Sequence, residues 1–332
     1  MQIRYGGQCM RKLELIPYKK DWAENFKEES KKIQEVFNEE LLAVHHIGST
    51  AIPRMLAKPI IDILVEVQNI KSVDSFNFKM NELGYISKGE NGIVGRRFFV
   101  KYKNNNRTHH VHIYQSGECE ISKHLMFRDY LIENSYEAER YNKLKASLYK
   151  DAAITVDVYQ EKKSPLVNEL TESAINWANK NKKISVKGFI IREKDNQFYE
   201  LLTLSLLSNT ENYLQVPGGG VEENESLITA LNREIQEETG LSDLNLIRKI
   251  GTMTYYKPFI KRVIERHDFL LDAPSDTENS WVHRVTGEDK DQGKYFKYNW
   301  VQSLDFPLIA GELRSFLTPE YVPELFNNIK IY

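Results

Sequence analysis

The sequence predicts an α/β (α+β) protein of two domains, and three observations lead to this prediction. The chain has 332 residues, which is about twice the usual length of a single domain. Short β-branched segments alternate with longer amphipathic ones, as strands and helices do. The segment 179–183 is polar and charged and has nothing to bury, which is typical of a linker. We therefore expect one domain over residues 10–180 and a second over residues 184–332.

In the first domain, Trp22, Phe26 and Ile33 recur at helical spacing and predict a helix over residues 21–42. A mostly apolar, β-branched run within 58–67 predicts a buried strand. The other elements predicted for this domain are strands at 93–102 and 108–115 and helices at 121–150 and 160–179.

In the second domain, apolar segments at 184–192 and 198–207 predict two strands. A glycine-rich loop and a helix from about 225 to 239 follow them. The remaining predicted elements are strands at 247–257, 263–272 and 294–301 and a last helix at 308–317.

The composition excludes several classes of protein. Hydrophobic residues make up 41% and charged residues 28% of the chain, which excludes a mainly disordered or collagen-like protein. No apolar run approaches the length of a membrane span, and the first residues lack the apolar stretch of a signal peptide. The 2 cysteines cannot form a disulfide framework. We expect a reduced, cytoplasmic protein without a membrane partner.

The net charge of −2 hides a difference between the two halves. Residues 184–332 hold 16 Lys and Arg against 23 Asp and Glu, so their net charge is −7. The remaining 29 basic and 24 acidic residues give residues 1–183 a net charge of +5. Such an asymmetry favours different ligands for the two halves. Neither half is basic enough to indicate duplex nucleic acid as a partner.

The most informative segment is the helix predicted near residue 234. Because helical residues step by about 100°, Glu234, Glu237 and Glu238 share one face. Three carboxylates on one face repel one another, and Arg233 can offset only one of them. Oxygen ligands in this number suit a hard divalent cation, so the pattern predicts a site for Mg²⁺ or Mn²⁺.

Three consecutive glycines, Gly218, Gly219 and Gly220, precede this helix. Glycine allows another group to approach the backbone closely. Amides at a helix entry can bind phosphate oxygens. The loop and the acidic helix face together predict a site for a metal ion and a phosphorylated substrate.

This segment resembles the Nudix box of MutT-like hydrolases. The family pattern is Gly, five residues, Glu, seven residues, then Arg-Glu-apolar-x-Glu-Glu-x-Gly-apolar. The matching residues are Gly219, Glu225, Arg233, Glu234, Ile235, Glu237, Glu238, Gly240 and Leu241. The resemblance implies an α/β/α sandwich around a mixed sheet. It also implies hydrolysis of the pyrophosphate bond in a nucleoside diphosphate linked to another group, X.

Residue roles follow from the same resemblance. Glu234, Glu237 and Glu238 would hold Mg²⁺ or Mn²⁺, and Glu234 would also serve as the base. Arg233 would orient the glutamates, and Glu225 would have a structural role or a role in the outer coordination shell, near the bound phosphate. The resemblance further implies a nucleotide-derived small molecule as the substrate and a homodimer as the expected assembly.

Nudix enzymes often take a further carboxylate from outside the box. The candidates are Glu265, Glu288 and Asp289, and each has the alternative of being an ordinary surface acid. Tyr255 and Tyr256, downstream of the box, are compatible with either a dinucleoside polyphosphate or ADP-ribose as the preferred substrate. The sequence leaves the choice of substrate open.

The first domain shows a weaker signal for a nucleotide site. Gly48 and Ser49 open a turn whose amides and hydroxyl could bind phosphate, and Asp62 lies on a following strand. Because side chains alternate along a strand, Glu66 lies on the same face as Asp62, with Leu64 between them.

These segments resemble the GrpB family, which has a nucleotidyltransferase-like fold with a mixed sheet and helices. The resemblance rests on the segments 46–50, 58–63, 110–112 and 127–130. Active nucleotidyltransferases have a second acid two residues after the first, where this chain has Leu64. In place of a third acid on a later strand the chain offers His110 and His112. These two could contact a phosphate or a metal, or be ordinary strand histidines.

Three functions stay open for the first domain. It could be a nucleotide-binding module that is inert in catalysis. It could be an active nucleotidyltransferase that uses Asp62 and Glu66, so that the protein would be bifunctional. It could bind RNA, with the Nudix domain in a regulatory role. The residues of the RNA alternative form a basic hairpin, namely Arg96, Arg97, Lys101, Lys103 and Arg107.

Overall fold

The computed structural model describes residues 13–151, 154–194, 198–207, 214–287, 291–309 and 311–326. The chain divides into two compact units. The first takes the chain up to Asn181 together with Tyr256–Arg262, and the second takes Lys182–Tyr255 and the chain from Val263 onward. Each unit has a mixed sheet with helices, so the two-domain α/β prediction is confirmed.

The first unit contains five strands and five α-helices among its described residues. The strands are β1 (Leu41–Ile47), β2 (Ile61–Val67), β3 (Tyr85–Ser87), β4 (Arg97–Lys103) and β5 (Asn106–Gln115). The helices are α1 (Asp21–Phe37), α2 (Asn77–Glu82), α3 (Cys119–Glu133), α4 (Ser135–Tyr149) and α5 (Val156–Asn179).

The strand order in this sheet is β1-β2-β5-β4-β3. β2 and β5 are parallel, whereas β1 and β4 run antiparallel to their neighbours. The parallel pairing sets Asp62 opposite His110 and Leu64 opposite His112. The sheet therefore brings together two segments that are far apart in the sequence.

Two predicted helices of this unit end earlier than expected. The helix predicted over 21–42 ends at Phe37, because Asn38 takes a positive φ of 45° and the chain continues into β1. The helix predicted over 121–150 is two helices. Asn134 separates them, and its side-chain amide donates to the carbonyl of Tyr130 at 2.9 Å.

The second unit contains six strands and one α-helix among its described residues. The strands are β6 (Lys183–Lys194), β7 (Phe198–Leu206), β8 (Asn245–Lys257), β9 (Arg262–Asp272), β10 (Ser280–Arg284) and β11 (Tyr295–Val301). The helix α6 covers Leu227–Thr239. The strand order is β10-β11-β7-β6-β9-β8, with β6 and β9 parallel.

Apolar residues cover both faces of this sheet. On one face, Leu231 and Ile235 of α6 pack against Val186 and Ile190 of β6. Gly188 lies between these two, and a β-carbon there would come within 2.9 Å of Ile235, so glycine lets α6 lie close to the strand. The position of α6 on the sheet fixes where its acidic face points.

Short 3₁₀ helices cover the other face. The sequence predicts an α-helix over 308–317, but the described chain there forms 3₁₀ segments at Ser303–Leu308 and Gly311–Phe316. Leu313 and Leu317 still pack against Phe189 of β6. The apolar residues of this segment are therefore buried in the core although the segment is not α-helical. Across the described ranges, no helix is both long and apolar enough to cross a membrane.

Candidate functional site

Local signals in the sequence fix both ends of α6. Ser226 caps its start, since its hydroxyl accepts from the amide of Thr229 at 3.1 Å. Gly240 ends it in a left-handed conformation with a φ of 77°. Glu234 and Glu238 lie near the buried side of the helix and are only 4% and 9% exposed. Two of the three predicted metal ligands are thus largely withdrawn from bulk water.

Two glycines make room for the carboxylates. A β-carbon on Gly219 would lie 2.3 Å from Oε2 of Glu234, and one on Gly287 would lie 2.2 Å from Oε2 of Glu237. No side chain larger than hydrogen fits at either position without moving an acid. The loop before α6 and the segment after β10 therefore both lie directly against the acidic face.

Arg233 links the acids of the box. Its Nε and Nη2 each donate to Glu225 at 2.9 Å, and Nη1 donates to Glu234 at 2.9 Å and to Glu237 at 3.4 Å. Nη2 also donates to the carbonyl of Gly220 at 2.8 Å. The hydrogen bonds between Arg233 and Glu225 raise the pKa of the guanidinium and lower that of the carboxyl. The arginine is thereby held in one orientation between the acids and the loop.

The loop before α6 is held by two side chains. The amide of Gly218 donates to Oε2 of Glu238 at 2.8 Å. The ammonium of Lys187 donates to the carbonyls of Gly218 and Val216. Gly218 has a φ of 129°, which only glycine adopts readily, and a β-carbon there would lie 2.3 Å from the carbonyl oxygen of Val186. The sequence therefore needs glycine at this point.

These groups line one pocket. Its walls include Gly218, Gly219, Glu234, Glu237 and Glu238, together with Lys187 and Asp291. Sequence reasoning missed Lys187 and Asp291. A charged residue within the mostly apolar run 186–191 was the signal for Lys187, whereas Asp291 lies in a turn and gave none.

The candidates for an additional acid fall elsewhere. Glu265 lies on β9, where it accepts from Lys182 and lies 3.0 Å from Nε2 of His267. It is not among the residues that line the pocket. Glu288 and Asp289 lie outside the described residues. Asp291 is thus the acid outside the box that the described structure places at the pocket.

In the first unit, Asp62, His110 and His112 converge. One ligand atom from each lies within 4.8 Å of the other two. Nδ1 of His110 is 3.0 Å and Nε2 of His112 is 3.9 Å from Oδ1 of Asp62. Burial acts to raise the pKa of the Asp62 carboxyl, but its interactions with the two histidines outweigh burial and hold the pKa well below the usual value. Asp62 is therefore ionised at neutral pH.

The turn at Gly48 covers this carboxylate. Gly48 has a φ of 70°, and a β-carbon on it would lie 2.4 Å from Oδ2 of Asp62. The next residue, Ser49, accepts from the ammonium of the buried Lys145 at 3.3 Å. Burial lowers the pKa of Lys145 to about 6. The predicted residues Gly48, Ser49 and Asp62 thus lie together, with Lys145 as a neighbour that the sequence did not indicate.

Glu66 does not join this group. It lies four residues along β2 from Asp62, and its Oε1 lies 2.8 Å from Nε2 of His45 on β1. Leu64, at the position of a second acid in active nucleotidyltransferases, is fully buried. The structure therefore assembles one acid and two histidines where the transferase pattern requires acids.

Part of the basic hairpin is engaged within the unit. Arg97 donates to both oxygens of Asp74 at 2.8 and 2.9 Å. Arg96 is 6% exposed and donates to the carbonyls of Glu90 and Asn91, and Lys101 donates to Glu29. These contacts place the three cations in hydrogen bonds within the first unit.

In comparisons with known proteins, the two halves of the chain match two different families. Residues 12–173 match the family described as GrpB protein, and residues 182–315 match the NUDIX domain. The chain is 46% identical over 167 residues to the UPF0157 protein YqkA of Bacillus subtilis, covering 50% of this chain and 48% of that protein. It thus spans about half the length of this relative.

Two further relatives match one half each. The Glutamate-rich protein GrpB of Alkalihalophilus pseudofirmus is 31% identical over 160 residues, covering 47% of this chain and 92% of that protein. An RNA pyrophosphohydrolase of Pelagibacter ubique is 33% identical over 72 residues, covering 21% of this chain and 44% of that protein. The NUDIX match includes the glycine loop and the acidic helix. The chain belongs to the GrpB family through its first half and carries a NUDIX domain in its second.

Proposed function

We propose that the second half is a divalent-metal-dependent pyrophosphohydrolase that cleaves a nucleoside diphosphate linked to another group. One observation carries the proposal: Glu234, Glu237 and Glu238 line a single pocket with the glycine loop and Lys187. The carboxylates suit a cation, and the loop and the ammonium suit a phosphate chain. A site with only the carboxylates would bind a cation alone. A site with only the loop and the ammonium would bind an anion alone.

The residues present fit Mg²⁺ or Mn²⁺. All three donors are carboxylates, which such hard cations prefer. Gly219 and Gly287 leave space for the carboxylates that any side chain would fill. A divalent cation held by these acids would polarise the pyrophosphate and offset the charge that develops during its cleavage.

The chain's own residues would position the reactants. Glu234 would accept the proton of the attacking water, because it is nearly buried and lines the pocket beside the glycine loop. Arg233 would keep this carboxylate oriented. Glu238 would hold the loop through the amide of Gly218, so that the remaining loop amides face the substrate phosphates.

The test is product release from a panel of substrates with Mg²⁺ or Mn²⁺. The panel contains nucleoside triphosphates, dinucleoside polyphosphates, ADP-ribose, NADH, nucleotide sugars and 5′-triphosphorylated RNA, the last because a relative is named as an RNA pyrophosphohydrolase. Wild type is compared with Glu238→Gln and with Glu223→Gln, an exposed acid of the preceding loop.

We expect cleavage of one substrate class that requires the metal. Glu238→Gln should lose about 100-fold or more of the activity, and Glu223→Gln should stay within about twofold of wild type. Metal-independent cleavage, or equal activity of the two variants, would contradict the proposal.

A further inference from the structure

We propose that Asp62, His110 and His112 form a second metal site, in the GrpB half, which binds a divalent first-row transition metal such as Zn²⁺ or Fe²⁺. This site goes beyond the proposed hydrolase and does not depend on it. The three residues come from two parallel strands, β2 and β5, and their ligand atoms lie within 4.8 Å of one another.

The distances suit a shared cation. Ligand atoms that each lie about 2.1 Å from one metal ion are separated by about 3.0 to 3.4 Å. The separations from Oδ1 of Asp62 are 3.0 Å to His110 and 3.9 Å to His112. The distance to His110 already lies in this range, and the His112 ring has to move closer to Asp62 to complete the set.

The type of ligand selects the type of metal. Two imidazoles and one carboxylate are typical of Zn²⁺ and of non-haem Fe²⁺ sites. Mg²⁺ prefers ligand sets made of oxygen alone. The acidic pocket of the NUDIX half offers carboxylates, so the two halves should select different cations from the same solution.

A further observation indicates a built site. Gly48 adopts a positive φ directly over the Asp62 carboxylate, which leaves no room for a side chain. Nδ1 is the nitrogen of His110 that faces Asp62, so it would be the ligand atom, and Nε2 would carry the proton of the ring.

One contact must adjust when the metal binds. Nη1 of Arg96 lies 3.4 Å from Nδ1 of His112. Coordination through Nε2 places a proton on Nδ1, so the guanidinium has to move away from the ring. Arg96 keeps its hydrogen bonds to the carbonyls of Glu90 and Asn91, which anchor it independently of His112.

With three protein ligands, a metal here would keep at least one position for water or another ligand, as catalytic rather than structural zinc sites do. Ser49 follows Gly48 in the turn over the carboxylate, and Lys145 donates to the Ser49 hydroxyl. The charge of the cation would favour an anionic ligand at the remaining position.

The test is a titration of the full chain with Zn²⁺ in excess Mg²⁺, which occupies the carboxylate pocket. His110→Gln and His112→Gln are compared with His109→Gln, the neighbouring histidine that faces Tyr85 on the other side of the sheet. We expect one Zn²⁺ per chain outside the Mg²⁺ site. Each of the first two variants should bind it at least about 100-fold more weakly, and His109→Gln should bind it within about twofold of wild type.

X-ray absorption of the Zn²⁺-loaded wild type provides a second measurement that does not depend on the variants folding. Two imidazole nitrogens in the zinc coordination shell are the expected result. Coordination by oxygen alone, no Zn²⁺ uptake in excess Mg²⁺, or unchanged affinity in folded His110→Gln would overturn the proposal.

Discussion

Gly219 lies directly against Glu234, so that a β-carbon on the glycine would come within 2.3 Å of Oε2 of the carboxylate. Gly219→Ala should therefore push the acid out of position and lower kcat by about 10- to 100-fold, since a displacement of about 1 Å is that costly. Gly220→Ala should lose less activity, because a β-carbon there meets no atom within 4 Å. Steady-state kinetics on the cleaved substrate make the comparison, and equal losses would refute this steric account.

Arg233 acts through its fork of donors, which lysine cannot reproduce. Arg233→Lys should lower kcat by about 10- to 100-fold with a smaller change in KM, because the glutamates lose their common orientation. Glu225→Gln removes the charge of one partner but leaves Glu234 and Glu237 bonded to the arginine. It should therefore lower kcat less than Arg233→Lys does. A variant Arg233→Lys with normal kcat and a raised KM would instead indicate that the arginine binds substrate.

Lys145 should make stability depend on pH. Its pKa falls from 10.5, its ordinary value, to about 6 through burial. Unfolding therefore takes up a proton between these two pH values, and the free energy of unfolding decreases as pH falls from 10.5 towards 6. Lys145→Met should remove this decrease, so its stability relative to wild type should rise as pH is lowered from 10 to 6.

Urea unfolding at pH 6, 8 and 10 measures this difference. Lys143→Met is the matched control, because Lys143 is exposed and pairs with the exposed Glu139. The difference in unfolding free energy between Lys143→Met and wild type should change little between pH 6 and pH 10. A pH-independent difference for Lys145→Met would show that the lysine stays charged in the folded protein.

Gly48 combines a positive φ with close contact to Asp62, whereas Gly89 has a positive φ and open space around it. Both alanine variants should lose about 1–2 kcal/mol of unfolding free energy from the left-handed backbone. Gly48→Ala should lose more and should also bind Zn²⁺ more weakly, because the β-carbon displaces the carboxylate. Denaturation and Zn²⁺ titration of both variants test this, and identical behaviour would mean that the turn does not shape the site.

The residues of the NUDIX pocket were largely predictable because they are local. A helix places residues three and four apart on one face whatever surrounds it, so the spacing of Glu234, Glu237 and Glu238 was enough. Asp291 was not predictable, because the turn after β10 reaches the pocket only through the fold. Predictions of secondary structure were wrong where local signals were weak. At 308–317, for example, the structure has a 3₁₀ segment in place of the predicted α-helix.

The sequence by itself determined that the chain has two α/β halves and that one of them carries an acidic helix behind a glycine loop. Only the tertiary structure decided which acids and histidines meet in the other half. Asp62 and His110 are 48 residues apart and become neighbours through the parallel pairing of β2 and β5. Strand alternation shows which residues share a face, but the pairing of distant strands depends on the packing of the whole sheet.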